Sequence, residues 1–131
     1  MTIQVISCIL IMETERIAAI YYFIDKDGSI PVKEYIEALT VEEQANVFAF
    51  IGELKKQGNN MRRPMADYLE DGIYELRPKN DRIFYFFYRR NNIVLVHAIK
   101  KYVDRIPRVD LTLCVKRKRG VEAAIFRVER C

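Results

Sequence analysis

Arg77 and Arg82 flank the turn sequence Pro78-Lys79-Asn80-Asp81. A planar guanidinium donates two parallel hydrogen bonds, so it grips a phosphate better than a point charge does. Two guanidinia at the ends of adjacent strands can converge on one phosphate from a rigid support. Lys100 and Lys101 close the next strand, so one of them can reach the same groove. Composition alone favours reading these residues as a solvated basic hairpin end. His97 is the only imidazole, and its ordinary pKa near ~6.5 suits proton transfer at neutral pH. It also lies inside the apolar run Ile93 to Ile99, where alternation sets it with Ile93 and Leu95, so a core histidine is the competing reading. Glu75 shares a strand face with Arg77, either as a base or as its ion-pair partner. Tyr85 and Tyr102 can stack on a base or donate a proton. Tyr85, however, belongs to Phe84-Tyr85-Phe86-Phe87-Tyr88, which reads as a central strand buried on both faces.

The elements that position these residues follow from periodicity. Ile17 to Phe23 is β-branched and aromatic and ends at the turn signal Asp25-Lys26-Asp27-Gly28-Ser29, so it predicts a strand. Pro31 opens a short helix with Val32, Tyr35, Ile36 and Leu39 at helical spacing. Thr40 and Glu43 form a capping-box pattern before a helix from Val41 to Gln57. Its predicted buried stripe is Val47, Phe48, Ile51 and Leu54, and Gly58 ends it. Strands are predicted over Gly72 to Arg77, Arg82 to Arg89 and Ile93 to Ile99. The turns between them make a three-stranded antiparallel meander. Pro107 and Asp110 introduce a last helix with Val109, Leu113 and Val115 inward, ended or kinked by Gly120. Val121 to Cys131 is expected to be a tail with another helical turn or two.

The 131 residues suit one domain with its own core. Half of them are hydrophobic and 31% are charged, which excludes disorder. The formal net charge of +4 and a pI near 9.0 favour a polyanionic partner. From Arg77 onward the basic residues cluster, through to Lys116, Arg117, Lys118 and Arg119. Such a run suits a solvated face that meets nucleic-acid phosphates without sequence preference. Cys8, Cys114 and Cys131 form no CxxC pair, and one histidine cannot complete a zinc site with such scattered thiols. Neither a metal nor a cofactor is expected, and free thiols imply a cytoplasmic location. The apolar run Ile3 to Met12 is too short to span a membrane or to serve as a signal peptide. Residues 1–15 read as an N-terminal extension before a domain over 16–120. Translation from Met12 and an added edge strand are the two accounts of that extension.

The order of elements resembles the RelE superfamily of toxins. Asp71-Gly72-Ile73-Tyr74-Glu75-Leu76-Arg77, followed by Asp81-Arg82-Ile83-Phe84-Tyr85-Phe86, resembles the DGLYELR…RILYFF core of its phage-derived HigB-like branch. His97-Ala98-Ile99-Lys100-Lys101, with Pro107 six residues on, resembles that branch's HAFxKKTxKTP segment. This chain has Tyr102 where the branch has Thr, and Arg105-Ile106-Pro107 where it has KTP. The resemblance covers Ile20 to Arg119. It implies an α+β fold with an antiparallel sheet: an N-terminal strand, a helical hairpin, the meander and a C-terminal helix. It also implies an endoribonuclease toxin that cuts mRNA on the ribosome by metal-independent attack of the 2′-hydroxyl. The expected catalytic residues are Arg77, Arg82, His97 and Lys101. Lys79, Lys100, Tyr102, Arg105, Lys116 and Arg117 are expected to bind RNA. The implied partners are a cognate antitoxin of the small helix-turn-helix kind and, through it, operator DNA. The competing implication is a toxin-fold protein without activity, serving as a binding subunit.

Overall fold

The computed structural model describes residues 17–101 and 105–131. Expectations that fall on the N-terminal extension, on Cys8 and on Tyr102 lie outside these residues. The chain forms β1 (Ala19–Ile24), α1 (Pro31–Glu37), α2 (Val41–Gln57), a 3₁₀ turn (Gly58–Asn60), β2 (Ala66–Glu70) and β3 (Ile73–Leu76). It continues through β4 (Asp81–Tyr88), β5 (Asn92–Lys100), α3 (Arg108–Glu122) and β6 (Arg127–Arg130). One six-stranded sheet has the order β2-β3-β4-β5-β1-β6. The fold is therefore α+β, with the expected helical hairpin, meander and C-terminal helix.

Three features differ from the sequence expectation. The sheet is mixed, because β1 runs parallel to β5 with Ile20 opposite Ile93 and Tyr22 opposite Leu95. The meander has a fourth member, β2, joined to β3 by Asp71-Gly72. Both turn residues have positive φ, 50° and 80°, the backbone twist that a two-residue hairpin needs. The third difference is at the C-terminus. Arg127–Arg130 is no helical turn but an edge strand, antiparallel to β1 with Phe23 opposite Val128.

Both sheet faces are covered. α1 and α2 bury Val32, Ile36, Val47, Ile51 and Leu54 against Ile20, Leu76, Ile83, Tyr85 and Leu95. α3 covers Ile73, Phe84, Phe86, Val94 and Val96 with Cys114 and Val121. β4 lies between these layers, so its residues from Asp81 to Phe86 are all buried, as the aromatic run predicts. Thr40 and Glu43 make the expected reciprocal cap, at 3.2 and 3.1 Å, and Gly58 caps the C-terminus of α2 with φ 56°.

The helix stripes differ from expectation in detail. Phe48 is 48% exposed, because α2 turns Val47, Ile51 and Leu54 inward. On α3 the buried line is Leu111, Cys114 and Val121, while Val109 is 73% exposed. Gly120 does not end that helix, which continues to Glu122. It admits Phe126, whose ring would lie 2.1 Å from an added Cβ, and Phe126 in turn packs edge-on to Phe23 at 4.8 Å.

Candidate functional site

The α3 face of the sheet carries a polar column at the end where β3, β4 and β5 meet the 78–81 turn. Cross-strand register aligns Asp67, Glu75, Phe84 and His97 in successive strands, so these side chains share that face. Arg77 follows Glu75 by two residues and its Nε lies 3.8 Å from Glu75 Oε1. Arg82 precedes Phe84 by two residues and pairs with Ile99. Glu75, Arg77 and Arg82 thus form one cluster, Glu75 and Arg82 on strands and Arg77 one residue past the end of β3.

The two arginines are not equivalent. The Arg77 side chain is 25% exposed and forms the accessible edge of the cluster. Arg82 is only 5% exposed, and its guanidinium donates to the carbonyls of Lys79 at 2.9 Å and Asp81 at 2.8 Å. The two guanidinia at the strand ends therefore do not present themselves alike: Arg82 points into the turn and holds its backbone. Burial pulls its pKa below the ordinary arginine value, opposed by the charge of Glu75. Arginine remains protonated in proteins regardless.

Glu75 is 6% exposed, and its Oε2 has no hydrogen-bond partner among the described residues. Burial raises its pKa, and the positive charges of Arg77 and Arg82 oppose that rise. A buried, half-satisfied carboxyl between two guanidinia is an expensive arrangement in a structural core and a common one in functional sites.

His97 forms a second cluster. Strict alternation sets it on the helical-hairpin face, but β5 carries a bulge: Phe84 opposes His97 while Tyr85 opposes Leu95. The extra residue turns His97 to the α3 face. There its Nε2 lies 2.7 Å from Asp110 Oδ1 and its ring stacks on Phe84 at 5.7 Å. Its side chain is 16% exposed, so it is partly buried and paired with a helix carboxylate. Phe84 separates this pair from Glu75 by two strand spacings, roughly 10 Å.

The remaining predicted residues scatter. Lys101 is exposed and lines a cleft of about 140 Å³ with Arg105, Pro107 and Asp110, beside the His97 cluster. Lys79 is exposed at the turn with φ 49°. Lys100 is tied to carboxylates within the fold. It lies on the opposite face, 2.6 Å from Glu43 and 3.0 Å from Asp81, and Tyr35 also donates to Asp81 at 2.5 Å. The Lys100 partnership and the Thr40 cap hold the Glu43 carboxyl down to about 2. Arg117 is likewise no free surface cation. It donates to the Val96 carbonyl at 2.6 Å and covers the Phe23 ring at 4.8 Å. Lys116 stays exposed on α3. Tyr85 is core, stacked on Tyr74.

Sequence reasoning gave no role to Asp110 beyond introducing a helix, nor to Asp67. Asp67 faces Glu75 across β2–β3 and accepts from Arg63 at 2.7 Å. Finding it needed the β2–β3 hairpin, for which Asp71-Gly72 was the available signal. No group of three His, Cys, Asp or Glu among the described residues is placed to hold a metal ion. No helix among them is long and apolar enough to cross a membrane.

The architecture defines an α+β protein with a carboxylate-backed arginine cluster on one sheet face. Residues 34–119 match the family described as "Phage derived protein Gp49-like (DUF891)", and the chain belongs to that family. No curated protein matches the chain significantly.

Proposed function

We propose that this chain is a RelE/HigB-like endoribonuclease toxin that cuts mRNA on the ribosome. The observation that carries this reading is the cluster of Arg77, Glu75 and buried Arg82 at one end of the sheet, beside His97–Asp110 and the exposed Lys101 and Arg105. Membership of a phage-derived family supports it.

RNA brings its own nucleophile. The 2′-oxygen attacks the adjacent phosphorus, the bond from phosphorus to the 5′-oxygen breaks, and the products end in a 2′,3′-cyclic phosphate and a 5′-hydroxyl. The 2′-hydroxyl proton leaves to a base and the 5′-oxygen gains a proton from an acid. Arg77 is the cation that can meet the phosphate, and Arg82 acts behind it by fixing the turn. His97, its Nε2 held 2.7 Å from Asp110 Oδ1, is the imidazole nearest this cluster and the proposed proton carrier. The cleaving centre, the cognate helix-turn-helix antitoxin and its operator DNA are all parts of this proposal.

A second reading has its own support. Glu75 already supplies counter-charge to both arginines, and Nη1 of Arg82 is engaged by two backbone carbonyls. A toxin-fold subunit that binds antitoxin or nucleic acid without cleaving would show the same features. Induced expression followed by mapping of mRNA 5′ ends separates the two. New ends inside translated reading frames, absent with Arg77→Ala, support cleavage. Growth arrest or antitoxin binding without new ends supports the binding subunit.

A further inference from the structure

We infer that α2 is the contact surface of a homodimer, in which two copies of this helix pack antiparallel. α2 carries two apolar stripes. Val47, Ile51 and Leu54 face the sheet. Val41, Ala45, Phe48 and Ala49 recur at helical spacing on the outer side, and all four are exposed, Val41 at 83% and Phe48 at 48%. Gly52 continues this outer line by one more turn. Among the described residues a Cβ at Gly52 would meet nothing within 4 Å, and its φ is not positive. Neither packing among these residues nor backbone geometry requires glycine there, although glycine weakens a helix interior relative to alanine. Close approach of a second helix accounts for it.

The occupant is a second copy because the outer face of α2 is complementary to itself. In an antiparallel pair with its twofold axis between Phe48 and Ala49, each Phe48 lies against Ala49 of the other copy. Ala45 then meets Gly52, the two small residues where the helices come closest. Glu42 meets Lys55, opposite charges at the two ends, and Val41 lies along the stem of Lys56. Every contact occurs twice, as an isologous interface demands. The apolar line from Val41 to Gly52 is about 16 Å long at 1.5 Å per residue, so the predicted dimer is small and of modest affinity. An acidic helix from another protein would satisfy Lys55 and leave Glu42 opposed. The chain's own first sixteen residues are the remaining rival, because Ala18 N–H bonds to the Lys55 carbonyl and so brings the chain in beside α2.

Sedimentation velocity of the full purified chain over a roughly hundredfold concentration range tests this. The wild type is expected to shift reversibly from monomer to dimer. Phe48→Asp should be monomeric throughout, with unchanged circular dichroism and melting. Glu42→Lys and Lys55→Glu should each weaken association, on the order of tenfold because each pair occurs twice, and their combination should restore it. Gly52→Ala should raise the melting temperature of the dilute monomer while weakening the dimer. A wild type that stays monomeric at every concentration overturns the inference, and destabilisation of that monomer by Phe48→Asp would assign the face to the N-terminal segment. A dimer indifferent to Phe48→Asp overturns it as well.

Discussion

Arg82→Ala should unfold the protein far more readily than Arg77→Ala, although the two residues look alike in sequence. Arg82 is 5% exposed and bonds two carbonyls of the 78–81 turn at 2.9 and 2.8 Å. Truncation removes both charge-assisted bonds and takes one of three positive neighbours, Arg77, Arg82 and Arg63, from buried Glu75. The Lys79 carbonyl can find water, so the two bonds do not count in full. A loss of about 2–4 kcal/mol follows, or roughly 10 °C in melting temperature for a domain of this size. Arg77 makes one long ion pair, 3.8 Å, from a quarter-exposed side chain, and its removal should cost about 1 kcal/mol or less. The effect of Arg82→Ala should also depend on pH. Glu75 has a raised pKa in the folded state, so its favourable contribution is present below its unfolded pKa and is lost as pH rises through the folded value. Removing Arg82 raises that value further, so the variant should be more handicapped near pH 8 than near pH 4. Urea unfolding followed by circular dichroism at both pH values measures this. Equal losses for the two arginine variants, or a larger loss for Arg77→Ala, would refute the assignment of Arg82 to the turn.

Three other outcomes are expected. Gly120→Ala should destabilise by about 1–3 kcal/mol in urea unfolding, because its Cβ lies 2.1 Å from the Phe126 ring and displaces it from Phe23; a stabilised variant would contradict that packing. Glu43→Gln should weaken the protein at neutral pH, and the difference should vanish as pH falls toward 2. Glu43 has a lowered pKa, so its contribution is present above the ordinary value of 4.5 and is lost as pH falls through about 2, which an acid-unfolding comparison would reveal. Burial pushes the Cys114 thiol up to about 12, so it should resist alkylation in the native protein while exposed Cys131 reacts, as peptide mass spectrometry would show.

Elements with long, regular patterns were legible in the sequence. The capping box at Thr40 and Glu43, the glycine stop at Gly58 and the doubly buried β4 all follow from local rules that the tertiary structure leaves intact. The elements that escaped are short and charged. Arg127–Arg130 offers one apolar residue, Val128, and becomes a strand only because the edge of β1 is there to pair with it. β2 was legible through Asp71-Gly72, whose hairpin signal was read only as part of a motif. Within the candidate site, residue types were legible and directions were not. A single bulge in β5 moved His97 from one sheet face to the other, since alternation has a period of two and an inserted residue reverses it. The same loss of direction hid the difference between Lys100, a strut to Glu43 and Asp81, and the more exposed Lys101, although both line the cleft beside Asp110. The parallel pairing of β1 with β5 joins segments some seventy residues apart, and no local pattern encodes it.

Cleavage of mRNA on purified, programmed ribosomes tests the proposed function most directly, with wild type and Arg77→Ala compared and both shown to be folded. The account predicts discrete cuts by the wild type, with 2′,3′-cyclic phosphate and 5′-hydroxyl ends. Arg77→Ala should be slower by about 30- to 1,000-fold, the loss expected when a donor aimed at developing negative charge is removed. Products with 5′-phosphate ends, equal rates for the two proteins, or no cleavage by folded wild type on occupied ribosomes would contradict it.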